Sequence, residues 1–278
     1  KHNALHDILT GLPNRILFHE RIESSLARAK SEAGYLFAIL FMDLDRFKAV
    51  NDSYGHLFGD ELLIQVARRV ELALNPQDMV ARFGGDEFTI LLESLKDEQE
   101  AVRAAERIQK QLEEPFLVKD QTVNTTAGIG IALSSAEDVV SEEDLLRNAD
   151  TAMYRAKLLN KNRHVIYNQK MHADVLDMLQ LETDLRRASE RQNFHVHYQP
   201  IVSLKTGAVE GFEALIRWTH PERGPVSPNV FIPLAEDTGL IIPMGLWVLR
   251  EACRQAAIWP CQNNGHPTIS VNLSAKQL

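Results

Sequence analysis

A Gly-Gly pair set between two apolar, strand-prone runs constrains this chain more than any other feature of its sequence. Met79, Val80 and Ala81 lead into it, and Phe88, Ile90, Leu91 and Leu92 lead away. The segment Arg82-Phe83-Gly84-Gly85-Asp86-Glu87-Phe88 therefore reads as a β-hairpin whose tight turn needs positive φ. It places two acidic side chains, Asp86 and Glu87, just past the tip. Gly-Gly-Asp is equally what an ordinary exposed turn looks like, so the rest of the chain decides whether these carboxylates form a site.

The chain has 278 residues, 45% hydrophobic and 24% charged, a globular balance with room for one large domain or two of ordinary size. A formal charge of -8 argues against a general binder of nucleic acid or of anionic membranes, which would need a basic stripe. Any phosphate ligand has to be held by a local site. Cys253 and Cys261 form no CxxC or Cys/His pattern, so an intracellular protein with two free thiols is expected. The longest apolar run, Tyr35 to Met42, is too short to span a bilayer, and no signal peptide precedes it. The first residue is Lys1, so a longer parent with a sensory or membrane portion upstream is expected.

Along the chain, the turn-rich stretch Asp7 to Arg15 feeds a helix marked by Ile16, Leu17, Ile22, Leu26 and Ala29. Tyr35 to Leu44 suits a central strand buried on both faces, ending in Asp43-Leu44-Asp45. Leu62, Leu63, Val66, Ala67 and Val70 mark an amphipathic helix; after the hairpin come a helix over Asp97 to Glu113 and a strand over Thr122 to Leu133. Gly128 and Gly130 thin that strand where another backbone or a ligand approaches. Ser141 then caps a helix running to Leu159. This order predicts an α+β sheet flanked by helices, close to a split βαβ pattern. A second unit is expected from near Met171, with strands over Phe194 to Val202, Val209 to Trp218 and Thr268 to Leu273, and helices over Pro228 to Glu236 and Met244 to Trp259.

Asp43 at a strand end and Asp86 at the hairpin would converge if their strands are neighbours, giving hard oxygen ligands suited to Mg²⁺. Metal ions so held would clamp a triphosphate for in-line attack at phosphorus. Between the two acids lie Asn51-Asp52, Gly55-His56 and Gly59-Asp60; an Asn and an Asp at a pocket can read a purine edge, the carboxylate pairing with guanine donors. The absence of a Gly-x-x-x-x-Gly-Lys-Ser/Thr loop excludes a P-loop NTPase.

The hairpin segment resembles the signature of the GGDEF diguanylate cyclases. The resemblance extends in order through Asp7 to Arg15, Asp43 to Lys48, Asn51-Asp52, Gly55-His56, Gly59-Asp60, Tyr154-Arg155-Ala156-Lys157 and Asn162-Arg163. It implies a palm-like α+β domain over 1–168, related in shape to polymerase and nucleotidyl cyclase cores. Its implied reaction condenses two GTP into cyclic di-GMP with release of pyrophosphate, in bacterial second-messenger control of biofilm and motility. By the same resemblance, Mg²⁺ (or Mn²⁺) would be held by Asp43, the Leu44 carbonyl and Asp86. Asp86 would also be the base for the 3′-hydroxyl, assisted by Lys48, which steadies transition-state charge. Asn51 and Asp60 would contact guanine, His56, Phe47 and Arg46 would belong to the GTP pocket, and Lys157 and Lys161 would hold terminal phosphates. Glu87 is assigned with the catalytic group, although strand alternation points it away from Asp86, so that it reaches the metals only if the hairpin bends. Each domain would carry one GTP, so catalysis needs a homodimer; neither nucleic acid nor direct membrane contact is implied.

One departure from the family stands just upstream of the hairpin. Members with product feedback carry Arg-x-x-Asp there, and this chain has Asn75-Pro76-Gln77-Asp78. Losing a planar, bidentate phosphate clamp at Asn75 predicts weak or absent feedback.

Further on, Tyr198-Gln199-Pro200-Ile201, Glu213-Ala214-Leu215-Ile216-Arg217-Trp218 and Ser270-Val271-Asn272-Leu273-Ser274 resemble the opening of an EAL phosphodiesterase, which hydrolyses cyclic di-GMP. The resemblance makes Glu213 and Asn272 metal ligands, puts Arg217 on a phosphate and lines the substrate site with Gln199. A helical linker over 169–190 would join the two parts. The EAL fold is a TIM-like barrel that needs around 250 residues, so an incomplete barrel over 191–278 is expected, without phosphodiesterase activity. The leading expectation is an active cyclase, cytoplasmic by itself or as part of a larger membrane or sensor protein. The alternative is a GTP-binding regulatory GGDEF domain that controls an attached EAL phosphodiesterase.

Overall fold

The structure is a computed structural model that describes residues 2–135, 141–159, 163–259 and 268–277. The chain divides into two compact units, 1–175 and 176–278. The first begins with α1 (His2–Leu5), α2 (Arg15–Ser31) and β1 (Leu36–Leu44), followed by α3 (Phe47–Tyr54) and α4 (His56–Ala73). Next come β2 (Met79–Gly84), β3 (Glu87–Leu95), α5 (Glu98–Glu113), β4 (Phe116–Val118), β5 (Gln121–Val123), β6 (Ala127–Leu133), α6 (Glu142–Leu159) and β7 (His164–Ile166).

Five of these strands form one mixed sheet in the order β2-β3-β1-β6-β7. The apolar run expected to be a central strand is β1, flanked by antiparallel β3 and β6. Its two faces bury separate cores. Ala38, Leu40, Met42 and Leu44 pack with Leu62, Val66 and Val70 of α4 and Ala105 and Ile108 of α5, whereas Phe37, Ile39 and Phe41 pack with Phe18 and Ile22 of α2 and Leu145, Ala149 and Met153 of α6. Burial on both faces explains why the segment shows no polar alternation.

Asn51 and Asp52 lie in α3, and one local reading differs from the structure. The single strand read over Thr122 to Leu133 is divided into β5 and β6. The break falls at Thr125 and Thr126, where Thr126 Oγ1 donates to Asp45 Oδ2 at 2.5 Å and Thr125 Oγ1 donates to the Asp45 carbonyl at 3.2 Å. These bonds take the chain out of the ladder. The cap expected at Ser141 is present as a reciprocal box: Asp144 N–H donates to Ser141 Oγ at 3.2 Å, and Ser141 N–H donates to Asp144 Oδ2 at 3.0 Å.

The unit boundary falls within α7 (Lys170–Arg191). The second unit continues with β8 (Phe194–Val202), β9 (Val209–His220), β10 (Gly224–Val226), α8 (Pro228–Thr238), α9 (Ile241–Ile258), β11 (Thr268–Val271) and a 3₁₀ turn over Ala275–Gln277. Antiparallel β8 and β10 and parallel β11 all pair with β9. Ser227 Oγ and Pro228 open α8, and Gly239 at φ 75° closes it. The core gathers Leu181, Leu185, Phe194, Trp218, Phe231 and Met244. The described residues of this unit form a partial sheet layered with helices, with no closed barrel among them. Cys253 is a free, exposed thiol, and Cys261 lies outside the described residues. No described helix is long and apolar enough to cross a membrane.

Candidate functional site

The hairpin turns at Gly84 and Gly85, both at positive φ (145° and 52°), and pairs Gly84 with Glu87. Arg82 holds this tip from inside the strand. Its Nη2 donates to the Gly85 carbonyl at 2.8 Å and its Nη1 donates to Asp7 Oδ1 at 2.8 Å, while its backbone N–H donates to the Pro13 carbonyl at 3.0 Å. Asp7 also accepts from the Thr10 hydroxyl at 2.7 Å. Burial works to raise the Asp7 pKa, and the bonds from Thr10 and Arg82 outweigh it, leaving the carboxyl below its usual value. The turn-rich Asp7 to Arg15 segment is thus a brace for the hairpin as well as an entry to α2.

Asp43, next to last in β1, stands directly opposite Glu87 of β3 and Gly128 of β6. Opposed residues in an antiparallel pair share a face, so Asp43 and Glu87 project to the side covered by α2 and α6. Strand alternation does not govern Asp86, because it sits in the turn. Glu87 therefore joins the Asp43 and Asp86 group without any bend in the strand.

Lys157 of α6 reaches this group and donates from Nζ to Asp43 Oδ1. Two glycines let α6 come so near. A Cβ on Gly128 would lie 2.9 Å from Lys157 Cγ, and one on Gly130 would lie 2.0 Å from the Ala149 carbonyl oxygen and 2.1 Å from Met153 N. Burial pushes the Asp43 carboxyl up to about 6; Lys157 opposes the shift, and the neighbouring charges of Asp86 and Glu87 add to it. Glu87 is also raised, by burial and then by Asp150 and Asp86, against Lys157 and Arg15. Burial raises Asp150 as well. Sequence reasoning passed over Asp150, Arg15 and the clamping role of Arg82. The signal for Asp150 was its spacing, seven residues before Lys157 and so on the same helical face.

The residues read as guanine contacts fall at the α3–α4 junction, where Gly55 at φ 84° reverses the chain. Asn51 of α3 lies against Gly59 of α4 so closely that a Cβ there would be 2.0 Å from Asn51 Oδ1. That oxygen is buried and has no hydrogen-bond partner. Asp60 follows at once and is half-buried, and His56 is exposed at the start of α4. Arg46, in the left-handed region at φ 60°, and Lys48 are exposed at the entrance to α3. Phe47 buries its side chain in the core beneath these residues, its ring 3.1 Å from where a Cβ on Gly59 would lie. Leu44 also buries its side chain, so only its backbone could serve a ligand. Lys161 lies outside the described residues.

The donor set fits a hard divalent cation in kind, since three carboxylates with mutual repulsion gather at one sheet edge. As they stand, no three His, Cys, Asp or Glu side chains among the described residues already enclose a metal position. Near the hairpin entrance, Asp78 accepts from Asn75 N–H at 2.9 Å and from Glu93 N–H at 3.2 Å. It therefore ties the loop to β3.

In the second unit, Gln199 of β8 and Ser270 of β11 both stand opposite Glu213 of β9. Asn272 Nδ2 donates to Glu213 Oε1 at 2.7 Å. Arg217 lies on the same face of β9 and donates to the Ile216 carbonyl at 2.8 Å. The four candidates named from sequence thus share one region of one sheet.

The family model described as "Diguanylate cyclase, GGDEF domain" matches residues 4–163, and that of the EAL domain matches 182–278, beginning inside the segment read as a linker. The bifunctional diguanylate cyclase/cyclic di-GMP phosphodiesterase MucR of Pseudomonas aeruginosa is 46% identical over 99% of this chain and 40% of its own length. The cyclic di-GMP phosphodiesterase PdeR of Escherichia coli is 40% identical over 98% of this chain and 40% of its own. The chain thus spans about two fifths of the length of these curated relatives. Among solved structures, the GGDEF domain of TpbB (YfiN) from P. aeruginosa superposes with TM-score 0.59 at 38% identity, covering 62% of this chain and 99% of that one. The GGDEF domain of DgcB from Caulobacter crescentus, in complex with c-di-GMP, gives 0.55 at 26% identity, covering 60% and 97%. With the palm-like sheet, the braced hairpin and the carboxylates at its tip, these matches establish that the chain belongs to the GGDEF family and carries an EAL-family segment behind its GGDEF domain.

Proposed function

We propose that the first unit is a diguanylate cyclase that condenses two GTP into cyclic di-GMP, working in the cytoplasm as a homodimer with one GTP on each domain. The observation that carries this reading is the gathering of Asp43, Asp86 and Glu87 at one sheet edge, with the Asp43 carboxyl pushed up to about 6. Carboxylates held in mutual repulsion are suited to a cation and to a substrate that brings one.

Asn51 and Asp60 read the guanine edge, and the unpartnered Asn51 Oδ1 is available to accept from a base donor. Asp86 takes the proton from the 3′-hydroxyl as that oxygen bonds to the α-phosphorus of the GTP on the facing domain, and pyrophosphate leaves. Lys48 steadies the charge that develops. Lys157 exchanges its bond to Asp43 for a terminal phosphate, joined by Lys161. Asp43, the Leu44 carbonyl and Asp86 would hold Mg²⁺ or Mn²⁺, which supplies Lewis-acid polarisation of the phosphoryl oxygens when bound. The remaining catalysis is positioning and electrostatics from the chain's own residues. Feedback through the Asn75 and Asp78 site is weak or absent for want of an arginine at position 75.

A second reading is favoured by relatives such as PdeR, named as a phosphodiesterase. In it the GGDEF unit binds GTP without turnover and regulates an EAL phosphodiesterase in the parent protein. Incubation with GTP and Mg²⁺, followed by mass detection of cyclic di-GMP, separates the two. Product from the wild type and none from Asp86→Ala is expected; no product from a folded, dimeric sample would overturn the cyclase reading in favour of the regulatory one.

A further inference from the structure

Residues on β8 alternate between two environments. Phe194 enters the core and Tyr198 packs edge-on against Trp259, with ring centroids 5.1 Å apart. His195, His197 and Gln199 therefore share the other face. Across the antiparallel register His195 stands opposite Arg217, His197 opposite Leu215 and Gln199 opposite Glu213. The two imidazoles are exposed, with ring centroids 5.2 Å apart. One sheet face thus carries two imidazoles and a guanidinium beside the Glu213 carboxylate that Asn272 already engages.

The charge of Arg217 directly across the ladder disfavours a cation between the histidines and favours an anion. Imidazole N–H and guanidinium N–H groups are donors that phosphate oxygens accept, and the guanidinium does so with full charge assistance. We propose that His195 and His197 are further phosphate-contacting residues of the second unit, extending the Arg217 position into a longer subsite for a phosphodiester dinucleotide. The proposal rests on the reading that the EAL segment takes cyclic di-GMP through Gln199, Glu213, Arg217 and Asn272; neither histidine belongs to that set. The competing account is that polar side chains on an edge strand only discourage strand-to-strand association.

Titration of the whole chain with cyclic di-GMP, followed by calorimetry and by the imidazole ring signals in NMR, tests it. Single His195→Ala and His197→Ala variants assign the signals, and circular dichroism checks that each variant keeps its fold. Saturable movement of both ring signals is expected, with a Kd about tenfold weaker in the double variant and a comparable loss in Glu213→Ala. Unchanged affinity in the double variant, with binding lost in Glu213→Ala, would overturn the histidine proposal and leave the EAL reading standing. No saturable response in the wild type and none in Glu213→Ala would overturn both.

Discussion

Asn51 Oδ1 is buried without a partner and is held there by a glycine that leaves no room for a methyl group. An unsatisfied buried acceptor costs about 1–3 kcal/mol, and a ligand donor that satisfies it recovers that amount, roughly a ten- to hundredfold effect on affinity. Asn51→Ala is accordingly expected to raise the KM for GTP by about tenfold or more. Gly59→Ala should do the same by displacing the Asn51 amide, while leaving the carboxylate group at the hairpin in place. Steady-state cyclase kinetics check both, and an unchanged KM in Gly59→Ala would remove Asn51 from the pocket. Asn75 makes a different prediction. Without a guanidinium at this position, initial rates should show no strong inhibition by added cyclic di-GMP, and potent inhibition in a product-addition assay would contradict it.

At the scale of elements, the hairpin is kept in place by its neighbours rather than by its turn alone. Arg82 joins the Gly85 carbonyl to Asp7, and the Asp7 carboxyl is lowered below its usual value by Thr10 and Arg82 against burial. A carboxyl depressed on folding contributes stability that is present above its unfolded pKa and is lost as pH falls through the folded one. Thermal unfolding should therefore show a loss of stability on acidification below about pH 4, the ordinary carboxylate range, that is smaller in Asp7→Asn. At neutral pH Asp7→Asn should cost about 1 kcal/mol, because the amide Oδ1 still accepts from Thr10 and Arg82 and only the charge assistance of these bonds is lost. Identical acid slopes in the two proteins would show that the clamp does not couple to folding. The contact of α6 with β6 is steric: Gly130→Ala drives a Cβ into helix backbone at Ala149 and Met153, and overpacking of this kind costs about 1–3 kcal/mol or more. A fall in melting temperature with accompanying loss of activity is expected, because Lys157 rides on the same helix.

For the whole molecule, the proposed reaction joins two nucleotides held on two domains, so specific activity should follow the dimer fraction. Sedimentation measured alongside activity over a dilution series checks this; full specific activity in a monomeric sample would rule out pairing at the catalytic step. Much of the molecule was legible in sequence because its signals are local. The unbroken apolar run of β1, the glycines of the hairpin, the Ser141 cap and the spacing of apolar residues in α4 each follow from covalent geometry and solvent exclusion acting over a few residues. The sequence by itself determined the family, the acidic strand end and turn, and the loss of the arginine at position 75. Tertiary structure alone decided that Glu87 faces Asp43, because register is fixed by pairing across the sheet. It also decided that Phe47 buries its side chain beneath Asn51 and Gly59, that Asp150 and Arg15 bear on the carboxylates, and that Arg82 fastens the tip to Asp7. Those relations join residues far apart in the chain, and only the packing of two helices onto one sheet face brings their charges near enough to interact.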